Sequence, residues 1–275
     1  MTRQRLVVSG DVRAPGDKSI THRALMLAAA ARGTSVLTGL LSGEDCQSTA
    51  RVLRSLGALV PPPPLDGGEV MVRGRGLASW TKPSAILDCG NSGTTARLMM
   101  GLLAGCHFAV KLTGDDSLRS RPMRRITLPL MQMGVQVTEL GETARLPLEL
   151  IGGSLQSIAH ISPQASAQIK SAVLLAGVSG RVPVSVLEPY ISRDHTERML
   201  TTVGVAVESK DTGEGWLVSL QPPEGDLSPL EMRIPGDPSS AAFVLALALL
   251  SDQGEVRVRD VCVNPTRTGF LSVLR

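Results

Sequence analysis

Four apolar segments rich in small residues punctuate the chain: KSITHRALMLAAA from Lys18, NSGTTARLMMGLLAG from Asn91, ASAQIKSAVLLAG from Ala165 and PSSAAFVLALALL from Pro238. Their openings carry Ser, Thr, Gly, Asn or Lys and lead into helix-forming aliphatics, the pattern of a capped helix buried on most sides. Ser19, Ser92, Ser166 and Ser239 hold equivalent places, at separations of 73, 74 and 73 residues. Spacing this regular marks an internal structural repeat. A second marker recurs out of phase with the first: VLRSLGALV around Gly57, LMQMGVQV around Gly134 and MLTTVGVAV around Gly204. Each predicts the end of an amphipathic helix, a glycine in a left-handed cap and a following strand. GTSVLTGL, FAVKLTGD, VPVSVLEP and EVRVRDV predict a strand after the first helix of each unit.

This pattern is α/β and divides the chain into two bodies. Residues 15–236 are expected to form a domain of three similar units, and residues 1–14 with 237–275 a second, incomplete one. APGDKS and IPGDPSS share a Pro-Gly-Asp form at the edges of the first body and read as a paired hinge. The PPPPLDGG stretch is a surface turn, because prolines cannot donate to a sheet ladder. The last residues, NPTRTGFLSVLR, resemble the second helix of the earlier units. Aligned on VLRSLG, Val273, Leu274 and Arg275 match Val52, Leu53 and Arg54, so the chain is expected to stop short of a complete fold.

Composition narrows the function. Apolar residues make up 43% of the chain, yet it has two Trp, one Tyr and three Phe, so the core is aliphatic. The net charge of +3 is spread along the sequence, which argues against a nucleic-acid partner. Arg and Lys gathered in one cleft would suit a small, multiply anionic substrate. Cys46, Cys89, Cys106 and Cys262 show no CxxC or Cys/His spacing and read as reduced thiols, so neither disulfide nor zinc nor any cofactor is expected. The start carries no apolar signal segment, and the AAFVLALALL run is too short to span a bilayer, so a soluble cytoplasmic protein without a membrane partner is expected.

Candidate chemistry lies at the helix starts, where free backbone N–H groups at the positive dipole end bind phosphate and carboxylate. In GDKSITHR, Lys18 and Ser19 open a helix and Arg23 follows about one turn later; a capped helix with a solvated cationic face is the alternative. His22 reads as a surface or packed residue. Gly90 and Gly93 bracket Asn91 and allow close backbone approach to a ligand, or simply a tight strand-to-helix turn. LRSRPMRR places Arg119, Arg121, Arg124 and Arg125 together, either as a solvated face or with Arg121 fixed toward the cleft by Pro122. Glu44 and Asp45 suit a helix N-terminus, Asp115 and Asp116 a turn, and Asp194, His195 and Glu197 another helix start. None makes a convincing acid/base pair, catalytic triad or metal set.

Taken together, GDKS, GNSGTTAR, SRP, SAQIK, RDHTE, GDPSSAA and NPTR resemble the 5-enolpyruvylshikimate-3-phosphate synthase family, in family order along the whole chain. GDKS, SAQIK, RDHTE and NPTR resemble its class II branch, noted for glyphosate-tolerant members. The resemblance implies the enolpyruvyl transferase fold, an inside-out α/β barrel of βαβαββ units, with the first domain complete at three units and the second incomplete. It implies that Lys18, Ser19, Arg23, Ser166, Ala167, Gln168 and Arg193 contact shikimate 3-phosphate. Lys18, Gly93, Thr94, Arg121 and Gln168 would contact phosphoenolpyruvate. The enolpyruvyl group would pass to the 5-hydroxyl of shikimate 3-phosphate with release of phosphate, in aromatic amino-acid biosynthesis. The family's acid and base, and further arginines, are expected past Arg275, so no catalytic residue is expected here and this chain alone is expected to be inactive; the complete protein would be a monomer. Two alternatives stay open: a relative of UDP-N-acetylglucosamine enolpyruvyl transferase, although no Cys stands near LRSRPM, and a noncatalytic phosphoanion-binding fragment.

Overall fold

The computed structural model describes residues 5–274, in which β1 (Gly10–Arg13) leads into α1 (Lys18–Ala30), β2 (Arg32–Thr38), α2 (Glu44–Ser55) and β3 (Val70–Arg75). A second unit comprises β4 (Leu87–Asp88), α3 (Gly93–Leu103), β5 (Ala109–Thr113), the short α4 (Asp116–Arg119), α5 (Arg124–Gln132), β6 (Gln136–Glu139) and β7 (Leu148–Ile151). A third comprises β8 (Ile158–Ile161), α6 (Ala167–Gly180), β9 (Val184–Glu188), α7 (His195–Thr202), β10 (Ala206–Asp211) and β11 (Trp216–Gln221). The chain then returns through β12 (Glu231–Arg233) to α8 (Pro238–Leu249), β13 (Val256–Arg259) and α9 (Gly269–Val273). Residues 1–4 of the 1–14 segment, and Arg275 of the C-terminal helix alignment, lie outside the described residues.

The strand orders β4-β5-β7-β6 and β8-β9-β11-β10 are the same topology twice. The third sheet, β12-β2-β3, repeats its first three places, with β12 parallel and β3 antiparallel to β2. Its fourth place falls to residues 58–60, where the strand expected after Gly57 is reduced to a single Leu59–Arg73 bridge. Pro61 to Pro64 follow at once and supply no N–H groups to extend it.

The inner helices α1, α3 and α6 are buried almost throughout, Ile20–Ala30 of α1 on every face. A helix apolar all round has to sit at the centre of a body, and each of its buried leucines stabilises the fold by about 1.5–3 kcal/mol. On α3, a Cβ added to Gly101 would stand 2.3 Å from the Ala172 carbonyl oxygen of α6, so glycine sets how closely these helices approach. The outer helices α2, α5 and α7 are amphipathic, and the glycines that follow them, Gly57, Gly134 and Gly204, take φ of 89°, 103° and 93°. β3 alternates buried and exposed residues, the signature of a sheet with one face on the core and one in water. Helices therefore lie inside and sheets outside.

The three inner helices point the same way. Their starts touch, as described below, and Ala30, Gly105 and Gly180 at or just past their far ends line a cavity of about 520 Å³. At the other end the chain crosses itself: Gly16 bridges Gly236, Asp17 N–H donates to the Pro235 carbonyl at 2.8 Å, and Asp237 N–H to that of Pro15 at 2.7 Å. β1 and β13 pair in parallel beyond the crossing. α8 buries only Pro238 and Ala241, leaving Phe243, Leu247, Leu249 and Leu250 exposed. Among the described residues, no helix is long and apolar enough to cross a membrane. All four cysteines are free and buried.

Candidate functional site

The inner helices begin on side-chain caps, but not in one serine register. Ser92 Oγ accepts the Thr95 N–H and Ser166 Oγ that of Ile169, whereas α1 and α8 are capped by Asp17 and Asp237. Ser19 and Ser239 therefore lie two residues inside their helices, because the aspartate ahead of each takes the capping role. Each cap engages one amide of its own helix, and Asp237 Oδ2 also accepts the Lys18 N–H of α1 at 3.2 Å; the remaining first-turn N–H groups lie at the positive dipole end.

Between α1, α6 and α7 lies a hydroxyl-lined guanidinium. Arg23 is buried; its Nε donates to Thr196 Oγ1 at 2.6 Å, Nη2 to Ser171 Oγ at 2.8 Å, and Nη1 to the Ser19 carbonyl at 2.9 Å. Burial, then the nearby Arg193 charge, push its pKa down to about 10. Arg193, from the turn before α7, donates to Ser19 Oγ at 2.7 Å. Lys18 turns to Asp45 on α2, 3.1 Å away, giving that helix-start acid a second role.

A second cluster joins α3, α5 and α6. Gln168 Oε1 accepts from Arg97 at 3.0 Å and Arg125 at 3.2 Å, while its Nε2 donates to Thr94 Oγ1 at 3.3 Å. Burial first, then repulsion from Arg125 and Arg121, lower the Arg97 pKa to about 10. Arg121 donates to Asn91 Oδ1 and Ser117 Oγ, and Asn91 in turn donates to Asp115. Asp115 is not in a free turn: it caps α4 through the Leu118 N–H. A Cβ on Gly93 would meet Arg97 Nη1 at 2.7 Å and Arg121 Nη1 at 3.4 Å, so the missing side chain is what leaves room for both guanidiniums.

Beneath these lies a polar layer that sequence reasoning missed. Lys170 is fully buried in α6, 2.9 Å from Glu188 and 2.7 Å from Glu197. Glu188 also accepts the Ser166 N–H at 2.7 Å and the Ser192 hydroxyl, tying the α6 start to the segment that carries Arg193. The signal was a lysine inside an otherwise apolar helix, which demands a buried counter-ion. His22 is packed, its Nδ1 2.7 Å from Thr49 Oγ1, which is 2.6 Å from Thr95 Oγ1; burial holds its pKa down to about 3.

Ser19, Arg23 and Arg193 thus meet on one side, with Lys18 turned to α2, and Gly93, Thr94 and Arg121 lie on the other, with Ser166, Ala167 and Gln168 at the α6 start and Gln168 bonded to Thr94. The sequence matches the family described as EPSP synthase (3-phosphoshikimate 1-carboxyvinyltransferase) over residues 2–275. The chain belongs to the EPSP synthase family. It is 49% identical over 267 residues to the 3-phosphoshikimate 1-carboxyvinyltransferase of Desulfitobacterium hafniense, which covers 97% of this chain and 60% of that protein. It is 46% identical to the Bacillus licheniformis protein of the same name, over 98% of this chain and 61% of the relative. An EPSP synthase structure from Acinetobacter baumannii superposes with a TM-score of 0.88 at 40% identity, covering 98% of this chain and 60% of that one. The fold is the enolpyruvyl transferase fold, and this member spans about 60% of the length of the curated relatives it matches.

Proposed function

We propose that this chain carries the shikimate 3-phosphate site and part of the phosphoenolpyruvate site of an EPSP synthase, which transfers the enolpyruvyl group of phosphoenolpyruvate to the 5-hydroxyl of shikimate 3-phosphate and releases phosphate. The observation that carries this reading is a charge imbalance. Among the described residues, Arg23, Arg97, Arg121, Arg125 and Arg193 have no carboxylate within ion-pair distance, although they crowd the starts of three helices. Like charges held together in a partly buried site call for anionic ligands.

In this reading Lys18, Ser19, Arg23, Ser166, Ala167, Gln168 and Arg193 hold shikimate 3-phosphate, the phosphate resting on the α6 start. Gly93, Thr94, Arg121, Gln168 and Lys18 hold phosphoenolpyruvate. Each charge-assisted hydrogen bond contributes about 1.5–3 kcal/mol. Gln168 fits a bridging role because it already links α3 and α6. We assign these residues binding, orientation and charge neutralisation, and no proton transfer, since the carboxylates of Asp45, Glu188 and Glu197 are engaged by Lys18 and Lys170.

We place the hinge between 15–236 and the segments 1–14 and 237–275 at the Gly16–Gly236 crossing, a reading supported by the reciprocal backbone bonds there. The enzyme is proposed to be cytoplasmic and monomeric, its substrates being water-soluble anions. Calorimetric titration of the purified chain with shikimate 3-phosphate tests the site. Saturable 1:1 binding that weakens with salt and is lost in Arg23→Ala is expected; no saturable binding, or equal affinity in the variant, would overturn it.

A further inference from the structure

Three side chains far apart in sequence meet where the chain crosses itself. Asp17 precedes α1, His195 is the first residue of α7, and Cys262 lies between β13 and α9. An Asp17 oxygen, a His195 ring nitrogen and the Cys262 sulfur lie within 4.8 Å of one another, and all three residues are buried.

The other polar atoms of these side chains are already in use. Asp17 Oδ1 accepts the Ile20 N–H at 2.9 Å, and His195 Nδ1 lies 3.4 Å from the Asn264 amide. Asp17 Oδ2 and His195 Nε2 are left buried without a hydrogen-bond partner. Native interiors seldom leave such atoms unspent.

We propose that Asp17 Oδ2, His195 Nε2 and Cys262 Sγ form a binding site for one divalent transition-metal ion of the zinc and cobalt class. Mixed oxygen, nitrogen and sulfur donors are what zinc accepts in tetrahedral sites, and the thiolate selects against magnesium and calcium. Donors around such an ion stand roughly 3.3–3.8 Å apart, given its bond lengths of about 2.0–2.3 Å. The donors must close by up to about 1.5 Å, and a water completes the tetrahedron.

Binding displaces the Cys262 thiol proton to solvent and settles the ring proton of His195 on Nδ1, on the side of Asn264 and Asp194. The 3.4 Å Asn264 contact is long enough to give way. Charge balance permits the ion: one carboxylate and one thiolate neutralise two positive charges. Of the cations facing His195, Arg23 donates to Thr196, Ser171 and the Ser19 carbonyl, Arg193 to Ser19 Oγ, and Arg267 is held by Asp237 and Ser239, so none donates to the three donor atoms. The ion would tie the α1 start, the α7 start and the 260–264 segment together. No sequence spacing announces the site, because its ligands come from positions 17, 195 and 262.

The test is a cobalt titration of the tag-free 275-residue chain under reducing conditions, followed by absorption. A thiolate-to-cobalt charge-transfer band with the visible bands of a tetrahedral ion should saturate at one equivalent and vanish on zinc addition. Cys262→Ser should abolish the charge-transfer band, and His195→Gln should weaken binding at least tenfold, circular dichroism confirming that both variants are folded. As a readout without substitution, zinc should protect Cys262, and not Cys46, Cys89 or Cys106, from alkylation mapped by mass spectrometry. No charge-transfer band in the parent chain, a band that persists in Cys262→Ser, or unprotected Cys262 at saturating zinc would overturn the proposal.

Discussion

Arg193 Nη1 donates to Ser19 Oγ at 2.7 Å, joining the turn before α7 to the first turn of α1. Because the arginine donates, the Ser19 hydroxyl keeps its own proton for an anionic ligand. Arg193→Ala is expected to weaken shikimate 3-phosphate binding by about 1.5–3 kcal/mol, roughly ten- to a hundredfold. The thermal midpoint should move little, since Arg193 has no carboxylate partner to strand. Calorimetry and a melting curve on the same preparation check both halves.

Arg23 makes three bonds in one plane to Thr196, Ser171 and the Ser19 carbonyl. Arg23→Lys is therefore expected to behave like Arg23→Ala in substrate binding, because one ammonium cannot span the positions of a planar fork. Affinity for shikimate 3-phosphate measured across the pair checks this; recovery in the lysine variant would show that charge alone suffices.

At Gly93 an added methyl carbon would stand 2.7 Å from Arg97 Nη1 and 3.4 Å from Arg121 Nη1. The contacts are with the ends of flexible side chains, so Gly93→Ala should fold normally and displace the Arg97 guanidinium. In the presence of shikimate 3-phosphate, the dissociation constant for glyphosate should rise more than that for phosphoenolpyruvate, because the longer ligand needs the space the methyl takes. Calorimetric titrations of the two proteins measure the ratio.

Lys170 holds two buried carboxylates at 2.9 and 2.7 Å. Lys170→Met leaves both without their cation and is expected to cost about 3–5 kcal/mol, read as a lower urea midpoint. Burial already raises the pKa of Glu197, so in this variant the loss should shrink as pH falls and Glu197 protonates. Urea unfolding at pH 7.5 and 5.5 compares the two conditions.

Burial lowers the pKa of His22 from 6.5 to about 3. Its native form stays neutral while the unfolded chain takes up a proton below pH 6.5, so stability is full above that pH and is lost as pH falls toward 3. The slope from this residue is about 1.4 kcal/mol per pH unit once the unfolded histidine is fully charged. His195, lowered to about 4, acts in the same sense, while Asp17 and Glu197, raised by burial, act in the opposite sense. The difference in slope between the parent and His22→Gln isolates His22. Denaturant unfolding between pH 6 and 4.5 should give a flatter dependence for the variant.

The sequence by itself determined the features that depend on a few adjacent residues. The inner helices follow from runs of small and aliphatic side chains, the cap glycines from the end of each amphipathic helix, and the family from motifs in order along the chain. Lys18, Arg23, Gly93, Arg121, Gln168 and Arg193 could be named because they lie within those motifs. Only the tertiary structure decided which groups meet across units. Asp17, not Ser19, caps α1 because two crossing segments fix the backbone there. Lys170 finds its carboxylates at 188 and 197, and Arg97 and Arg125 share Gln168, because packing the inner and outer helices against one another sets which face each presents. Capping and periodicity are short-range and written into neighbouring positions, whereas ion pairing and ligand geometry depend on helix rotation and approach. Those are set by contacts such as Gly101 against Ala172, between residues more than seventy positions apart.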